Sequence, residues 1–513
     1  MKKSINFHPL SLFLITTMIT GCLYLFTTSA RLTSANYAID SGDFLAAILT
    51  AGVPHPTGYP TYMLLGILFQ KLPIGSQYIR AILVSLVPAA LSSGLFALLL
   101  RKFFLPKKHW STFIFSLFVG LIWGLSPFLW SQAIIVEVHG LQSIFIIIAL
   151  WWVFELMENP IQNSYLNFYL LSLFFGMGLG NHITLSFFLP AVLLAAIKAM
   201  RNGFPKRILF YQFLFLLIGL LVYVYIPFRA NQIPPINWGN ASNWDGFWWL
   251  VSGRPYQNLV FDISSAKVIS RISALAFFLR QQFGVTGIIL AMVGLVQFNF
   301  NSKLTRPILL YLFFVFSIFA IIYGTDDSVT YLLTPIAVFA LWIGLALPVL
   351  FSWTWKKIPV GSILLSLSAI SFMVSIPVTF RNVDTHSKTA PADFAETILP
   401  QLPPNAILAS SSDPDSFPLW YYHFGLGWRP DLTLFTLPLT QFRWYQETLI
   451  HTYPAIQFPE PILPISNNSQ DWGERVSALN PNLPYCTSSV LKAESTKIQI
   501  ACSTGEIINF IVN

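Results

Sequence analysis

Residues 37 to 60 read YAIDSGDFLAAILTAGVPHPTGYP and carry two aspartates, a histidine and three prolines between apolar stretches. Asp40 and Asp43 stand three apart, so on a helix beginning here they share one face. A carboxylate at a water boundary is suited to removing a proton from a hydroxyl. The local alternative is capping, with Asp40 or Ser41 at the N-cap and Asp43 near the positive end of the helix dipole. The run from Phe44 to Leu49 is apolar enough to lie on or dip into a membrane interface. Pro54, Pro56 and Pro60 remove backbone donors and fix φ, while Gly58 permits a tight turn, so VPHPTGYP is a pre-shaped loop rather than a helix. His55 is held between two of those prolines, opposite the carboxylates, and is a candidate to orient one of them.

Three further segments carry reactive side chains. GLGNHITL sets Asn181 and His182 between apolar stretches, where a polar pair needs water or partners. The loop PFRANQIPPINWGNASNWDGFWWLVSGRPYQNLVF offers Arg229, Trp238, Asp245, Trp248, Trp249, Arg254 and Tyr256. Its aromatic residues read as interface anchors, and its two arginines fit bidentate capture of a phosphate near a membrane. YGTDDSVTYLLTP begins another apolar run with Asp326 and Asp327, as a helix cap or as further site carboxylates. No Walker-type phosphate loop, HExxH or CxxC pair is present, so soluble-nucleotide hydrolysis and a tight zinc site have no support.

The elements that must position these residues are membrane helices. Of 513 residues 55% are hydrophobic and 10% charged, against about one quarter charged in a soluble domain. Apolar runs centre near residues 20, 90, 120, 147, 172, 190, 218, 291, 314, 340 and 368, which makes about eleven spans. The first is read as an uncleaved helix, being too long for a signal-peptide core. Basic clusters at Lys2-Lys3, Arg101-Lys102, Lys107-Lys108, Lys198-Arg201, Lys206-Arg207, Lys303-Arg306 and Lys356-Lys357 fall on alternate loops and are assigned to the cytoplasmic side. The excess of 29 basic over 21 acidic residues is therefore loop charge, and a nucleic-acid partner is excluded. The same parity places the reactive segments, and everything after about residue 380, outside. Twelve of the 21 acidic residues lie from Asp384 onward, and short apolar runs there alternate with turn residues. The expected organisation is a polytopic all-α domain over 1–380 and a small extracytoplasmic α/β domain over 381–513. Cys486 and Cys502 fall in that tail, where a disulfide is permitted.

Several of these segments resemble the DUF2723 family, which includes the transmembrane-protein-260 type of protein O-mannosyltransferases. The resemblance runs through DSGDF, HPTGYPTYMLLG, SPFLWSQAIIVEVHGLQ, GLGNHIT, INWGNASNWDGFWWLVSGRPY, GTDDSVTYLLTP, PPNAILASSSDPDSFPLWYYHF and RPDLTLF, and so covers most of the chain. It implies the GT-C architecture, an acidic motif in the first outer loop and a lipid-phosphate sugar donor. Asp40 and Asp43 match the acidic positions, although many members have glutamate where this chain has Asp43. His55, Tyr59, His182, Asp326 and Asp327 match motif positions without an assigned role. No cofactor is implied with certainty, and a divalent metal is left open because GT-C enzymes include both kinds.

The resulting expectation is an inverting membrane glycosyltransferase. It passes a sugar, mannose in one branch of the family, from a polyprenyl-phosphate donor to a hydroxyl on a protein, lipid or glycan acceptor. Asp40 or Asp43 is the base, with His55 beside them. Arg229, Arg254, His182 and Tyr59 are candidates to hold the donor phosphate, and Asp326, Asp327 and Trp238 are candidates for the acceptor or a metal. The competing functions are a transporter or flippase of lipid-linked intermediates, which lacks support from inverted repeats, and a non-catalytic membrane scaffold.

Overall fold

The structure is a computed structural model describing residues 8–105, 110–158, 165–300, 302–459, 469–492 and 496–511. Lys2, Lys3, Lys107 and Lys108 lie outside the described residues. In chain order the helical part comprises α1 (Pro9–Phe26), α2 (Ser41–Thr50), α3 (Pro60–Phe69), α4 (Gln77–Phe103), α5 (Trp110–Gly124), α6 (Pro127–Ala133), α7 (Val138–Glu158) and α8 (Tyr165–Leu179). It continues with α9 (Leu189–Arg201), α10 (Lys206–Leu220), α11 (Tyr225–Ala230), α12 (Trp244–Val251), α13 (Ser265–Gln297), α14 (Thr305–Ile322), α15 (Leu333–Phe351) and α16 (Val360–Val383).

Each of the eleven apolar runs is helical, but among the described residues nine helices are long and apolar enough to cross a membrane. The run near residue 120 is broken instead, α5 and α6 meeting at a 62° bend where Pro127 opens the second helix. The run near 172 forms the 15-residue α8, which at about 1.5 Å per residue is shorter than a bilayer core. By length and composition the described residues thus give nine straight apolar spans, or ten if the bent pair is one, and the shorter α8 carries the chain from the Glu155 end of α7 back to His182 at the cavity.

Helix association in a bilayer relies on close packing and hydrogen bonds rather than on exclusion of water. Where α1, α4 and α5 meet, Thr20 Oγ1 lies 2.9 Å from Ser93 Oγ and Trp123 Nε1 donates to Ser92 Oγ at 3.0 Å. Trp130 of α6 donates to Thr27 Oγ1 at 2.9 Å, closing the bend against the end of α1. α7 defines the two ends of the bundle. Its first residue follows Glu137, and near its last turn the buried Glu155 pairs with Lys102 at 2.5 Å while Lys198 Nζ donates to Met157 O at 2.8 Å. Lys102 and Lys198 therefore gather at the end opposite the polar loops.

After α16 the chain forms α17 (Ala390–Gln401), β1 (Ile407–Ser410), α18 (Asp413–Trp420), β2 (Thr433–Thr436), α19 (Arg443–Thr452), α20 (Ser469–Leu479), β3 (Tyr485–Lys492), β4 (Thr496–Cys502) and β5 (Ile507–Ile511). The sheet order is β2-β1-β3-β4-β5, parallel through β3 and antiparallel beyond it. Cys486 and Cys502 face each other across β3 and β4 and are joined as a disulfide. This unit is seated on the bundle. Arg31 bridges Asp393 at 2.7 Å and Glu396 at 2.5 Å, Tyr422 OH donates to Glu396 at 2.6 Å, and Thr385 Oγ1 donates to Thr27 O at 2.9 Å.

Candidate active site

The opening motif folds as a short turn, Ala35–Asp40, running into α2. Asn36 and Tyr37 hold positive φ there, a costly conformation for side-chain-bearing residues that persists where surrounding structure enforces it. Gln132 Nε2 supplies part of that enforcement by donating to Asn36 O at 3.0 Å. Asp40 occupies the N-cap position but makes no side-chain capping bond, and its carboxylate is 38% exposed. Asp43, in the first turn of α2, is fully buried. Its Oδ2 accepts from His55 N at 3.0 Å and from His55 Nδ1 at 2.7 Å, and its Oδ1 accepts from Trp238 Nε1 at 3.1 Å. Helix capping is thus not what either aspartate does here.

The proline-rich loop delivers His55 to that carboxylate. Gly58, at φ +79°, closes the turn with its backbone N–H on His55 O at 2.9 Å, against Leu250 and Ile226. A one-residue parallel bridge between Val53 and Asn237 then brings in the loop that carries Trp238. Because Asp43 accepts, His55 Nδ1 carries the proton, and Nε2 lies 3.8 Å from Asp40 Oδ2. Burial pulls the His55 pKa down, but Asp40, the hydrogen bond to Asp43 and the charge of Glu137 outweigh it and raise it to about 9. His55 is therefore an imidazolium at neutral pH. Burial raises the Asp40 pKa above the ordinary carboxylate range; His55 opposes this, while Asp43 and Asp327 add to it.

Asp40, His55, Tyr59, His182 and Asp327 line a cavity of about 420 Å³ and a recess of about 60 Å³ beneath it. The rings connect across it: His55 to Tyr59 at 5.2 Å between centroids, Tyr59 to His182 at 6.1 Å, and His182 to Tyr331 at 5.8 Å. His182 accepts at Nδ1 from the Thr184 backbone N–H at 3.3 Å and lies 2.8 Å from its hydroxyl; burial, with His139 and His55 nearby, lowers its pKa to about 3. The recess adds Gln132, Glu137 and His139. Glu137 is nearly buried, and burial followed by the nearby Asp40 raises its pKa well above the ordinary value. The cavity mouth adds Tyr256, Gln257 and, from α18, Asp413. Among the described residues the lining of both contains no lysine or arginine, and no three His, Cys, Asp or Glu side chains are grouped as metal ligands. Two other hollows in the bundle, around Arg280 and Lys102, contain no carboxylate.

The candidates from sequence separate accordingly. Asp40, His55, Tyr59, His182 and Asp327 converge on the cavity, while Asp43 and Trp238 stand one layer behind it as the support of His55. Arg229 does not reach it. Its Nε donates to Ala51 O at 2.5 Å and its Nη2 to Thr50 O at 3.4 Å, so the guanidinium satisfies the carbonyl end of α2. Arg254 is exposed at the rim, beside the lining residues Gly253 and Tyr256 but not among them. The side chain of Asp326 lies outside the described residues. Glu137 joins the site from outside the sequence candidates, its signal being a charged residue inside the apolar run AIIVEVHG at a span end. Nothing local distinguished Asp413 from Asp415 in the same tripeptide.

Residues 40–202 match the family model described as the protein O-mannosyl-transferase TMEM260 N-terminal domain, and residues 391–478 match TMEM260-associated domain 2. The protein O-mannosyl-transferase tmem260 of Dictyostelium discoideum is 23% identical over 492 residues, 84% of this chain and 59% of that protein. The chain thus spans about three fifths of the length of this curated relative. Among solved structures, ArnT from Cupriavidus metallidurans bound to undecaprenyl phosphate superposes with a TM-score of 0.52 at 13% identity, covering 94% of this chain and 93% of that one. The apo oligosaccharyltransferase of Archaeoglobus fulgidus gives 0.51 at 12% identity, covering 95% and 70%. The chain carries matches to both of these TMEM260 models and shares the fold of these two solved structures, a polytopic helical domain with a small α/β unit at its C-terminal end.

Proposed function

We propose that this cavity transfers a sugar from a polyprenyl-phosphate donor to an acceptor hydroxyl on the non-cytoplasmic side of a membrane, with inversion at the anomeric carbon. The observation that carries the reading is the pairing of Asp40, which faces the cavity, with His55 Nε2 3.8 Å away on a ring locked from behind by Asp43. Asp40 takes the acceptor proton as the hydroxyl oxygen attacks the anomeric carbon, and the bond to the donor phosphate breaks with its electron pair leaving on the phosphate. An ionised donor in a cavity lined by carboxylates needs a fixed positive charge, and His55 supplies it through Nε2. Arg254, exposed beside the lining residues Gly253 and Tyr256, is a guanidinium that can assist from the rim. Tyr59, His182 and Asp327 contact the donor or acceptor, and Trp238 and Asp43 act through His55.

Mannose as the sugar and a protein as the acceptor are the finer form of the proposal, supported by the name of the Dictyostelium relative. Sidedness rests on the basic residues gathered at the opposite end of the bundle and on the disulfide in the tail. The same reading divides the chain into a membrane domain over 1–380 and an extracytoplasmic domain over 381–513, and places it in the DUF2723 family.

The test is purified protein in lipid nanodiscs, given a panel of radiolabelled polyprenyl-phosphate sugars and hydroxyl-bearing peptides. Label should pass to peptide from one donor, polyprenyl-phosphate mannose. Neither transfer nor donor hydrolysis from any member of the panel, with donor still bound, would turn the assignment toward a lipid carrier.

A further inference from the structure

The tail contributes a side chain to the cavity that the transfer chemistry above does not use. Asp413, the first residue of α18, lines the cavity mouth together with Asp40, Asp327 and Tyr256. A residue at that helical position ordinarily serves the cap, but here the cap is already supplied. Asp415 Oδ1 accepts from Ser412 N at 2.8 Å and Ser412 Oγ at 2.6 Å, and its Oδ2 accepts from Ser411 N at 2.9 Å and from Ser488 Oγ on β3. Asp413 has no hydrogen bond or ion pair among the described residues, and it is exposed toward the cavity.

Its place relative to Asp40 is rigid. α18 lies directly on α2 at Gly42, where an added Cβ would stand 2.4 Å from Phe417 O. That joint ties the motif helix to the helix bearing Asp413 with no room for a side chain between them. The cavity that results is lined by Asp40, Glu137, Asp327 and Asp413, with His55 as its cation. At the recess Gln132 is fully buried, and its Oε1 has no partner. At the mouth the partnerless Asp413 therefore presents acceptor atoms, which favour an acceptor group bringing hydrogen-bond donors over one bringing negative charge.

We propose that Asp413 is the acceptor-recognising carboxylate, receiving an N–H or ammonium group next to the reacting hydroxyl. The site would then take a serine or threonine flanked by neutral or basic residues and reject acceptors flanked by anions. This rests on the sugar-transfer reading, which makes the cavity mouth an acceptor site.

The experiment measures binding and transfer separately. Three peptide series share one hydroxyl residue and differ in flanking Lys, Ala or Glu. Each is titrated, without donor, against wild type, Asp413→Asn and Asp413→Glu in nanodiscs. Wild type should bind the Lys series about tenfold more tightly than the Glu series, as a charge-assisted hydrogen bond gives. Asp413→Asn should remove most of that ratio, and Asp413→Glu should restore part of it. In the transfer assay Asp413→Asn should raise KM for the Lys series with little change in kcat. Equal affinity for all three series in wild type overturns the inference. So does an unchanged ratio in Asp413→Asn that melts at the wild-type temperature. If that variant does not fold, the wild-type ratio and Asp413→Glu decide. A preserved binding ratio without any transfer would count against the sugar-transfer reading instead.

Discussion

Asp43 and His55 are joined twice through one oxygen: Asp43 Oδ2 accepts from both the backbone N–H and Nδ1 of His55, at 3.0 and 2.7 Å. The backbone bond fixes the loop and the ring bond fixes the tautomer, so Nε2 is aimed at Asp40. With Oδ1 accepting from Trp238, both Asp43 oxygens are engaged and the residue has no face toward the cavity. The two motif aspartates therefore differ in kind, one exposed to a ligand and the other a buried support.

This difference separates their variants. Asp40→Asn should cut kcat by about a hundredfold to ten-thousandfold, the usual worth of a general base, at an unchanged melting temperature. Asp43→Asn should instead lower stability by about 3–5 kcal/mol, because it leaves the imidazolium without its buried partner. Parallel transfer assays and thermal melts distinguish the two; equal losses of stability would remove the division of roles.

His55 sets a pH limit. Its folded pKa of about 9 lies above the ordinary 6.5, so the stabilisation it brings is fully present below pH 6.5 and is lost as pH rises through 9. The difference corresponds to about 3 kcal/mol at 1.36 kcal/mol per pKa unit. Melting temperature should fall between pH 7 and 10 in wild type, and the fall should be smaller in His55→Gln. A parallel decline in both would place the titration elsewhere.

The seat of α18 on α2 depends on a missing side chain. Gly42→Val would drive Cβ into Phe417 O and C, 2.4 and 2.5 Å from the ideal position. Overpacking of this kind costs about 1–3 kcal/mol. The expected outcome is release of the C-terminal domain from the motif helix, read as faster proteolysis between α16 and α17 together with loss of transfer. Wild-type protease resistance in this variant would mean the contact yields without separation.

Arg229 offers a control on the phosphate assignment. Holding the Thr50 and Ala51 carbonyls, it should matter to the carbonyl end of α2 rather than to the donor. Arg229→Met is expected to lower stability by about 1–2 kcal/mol while donor affinity stays at the wild-type value. Donor binding weakened tenfold or more would return Arg229 to the phosphate site.

By itself the sequence determined the class of protein and the segments that matter. Hydropathy is a sum over neighbouring residues, so the apolar runs, the basic clusters and the polar tail were all legible without coordinates. The proline-locked His55 and the aspartates at i and i+3 could be paired for the same reason, since their distances are set within one turn and one loop. Whether a run becomes a straight span depends on what packs beside it, and so α5 and α6 bend at Pro127. The facing of each side chain was decided by contacts between distant parts of the chain. Trp238 reaches Asp43 across 195 residues and turns that carboxylate into a support, leaving Asp40 to the cavity. Arg229 meets its match in the nearer α2 carbonyls, which no pattern of charges records. Glu137 and Asp413 enter the cavity because α7 begins beside α4 and α18 sits on Gly42, and only the packed backbone sets those approaches.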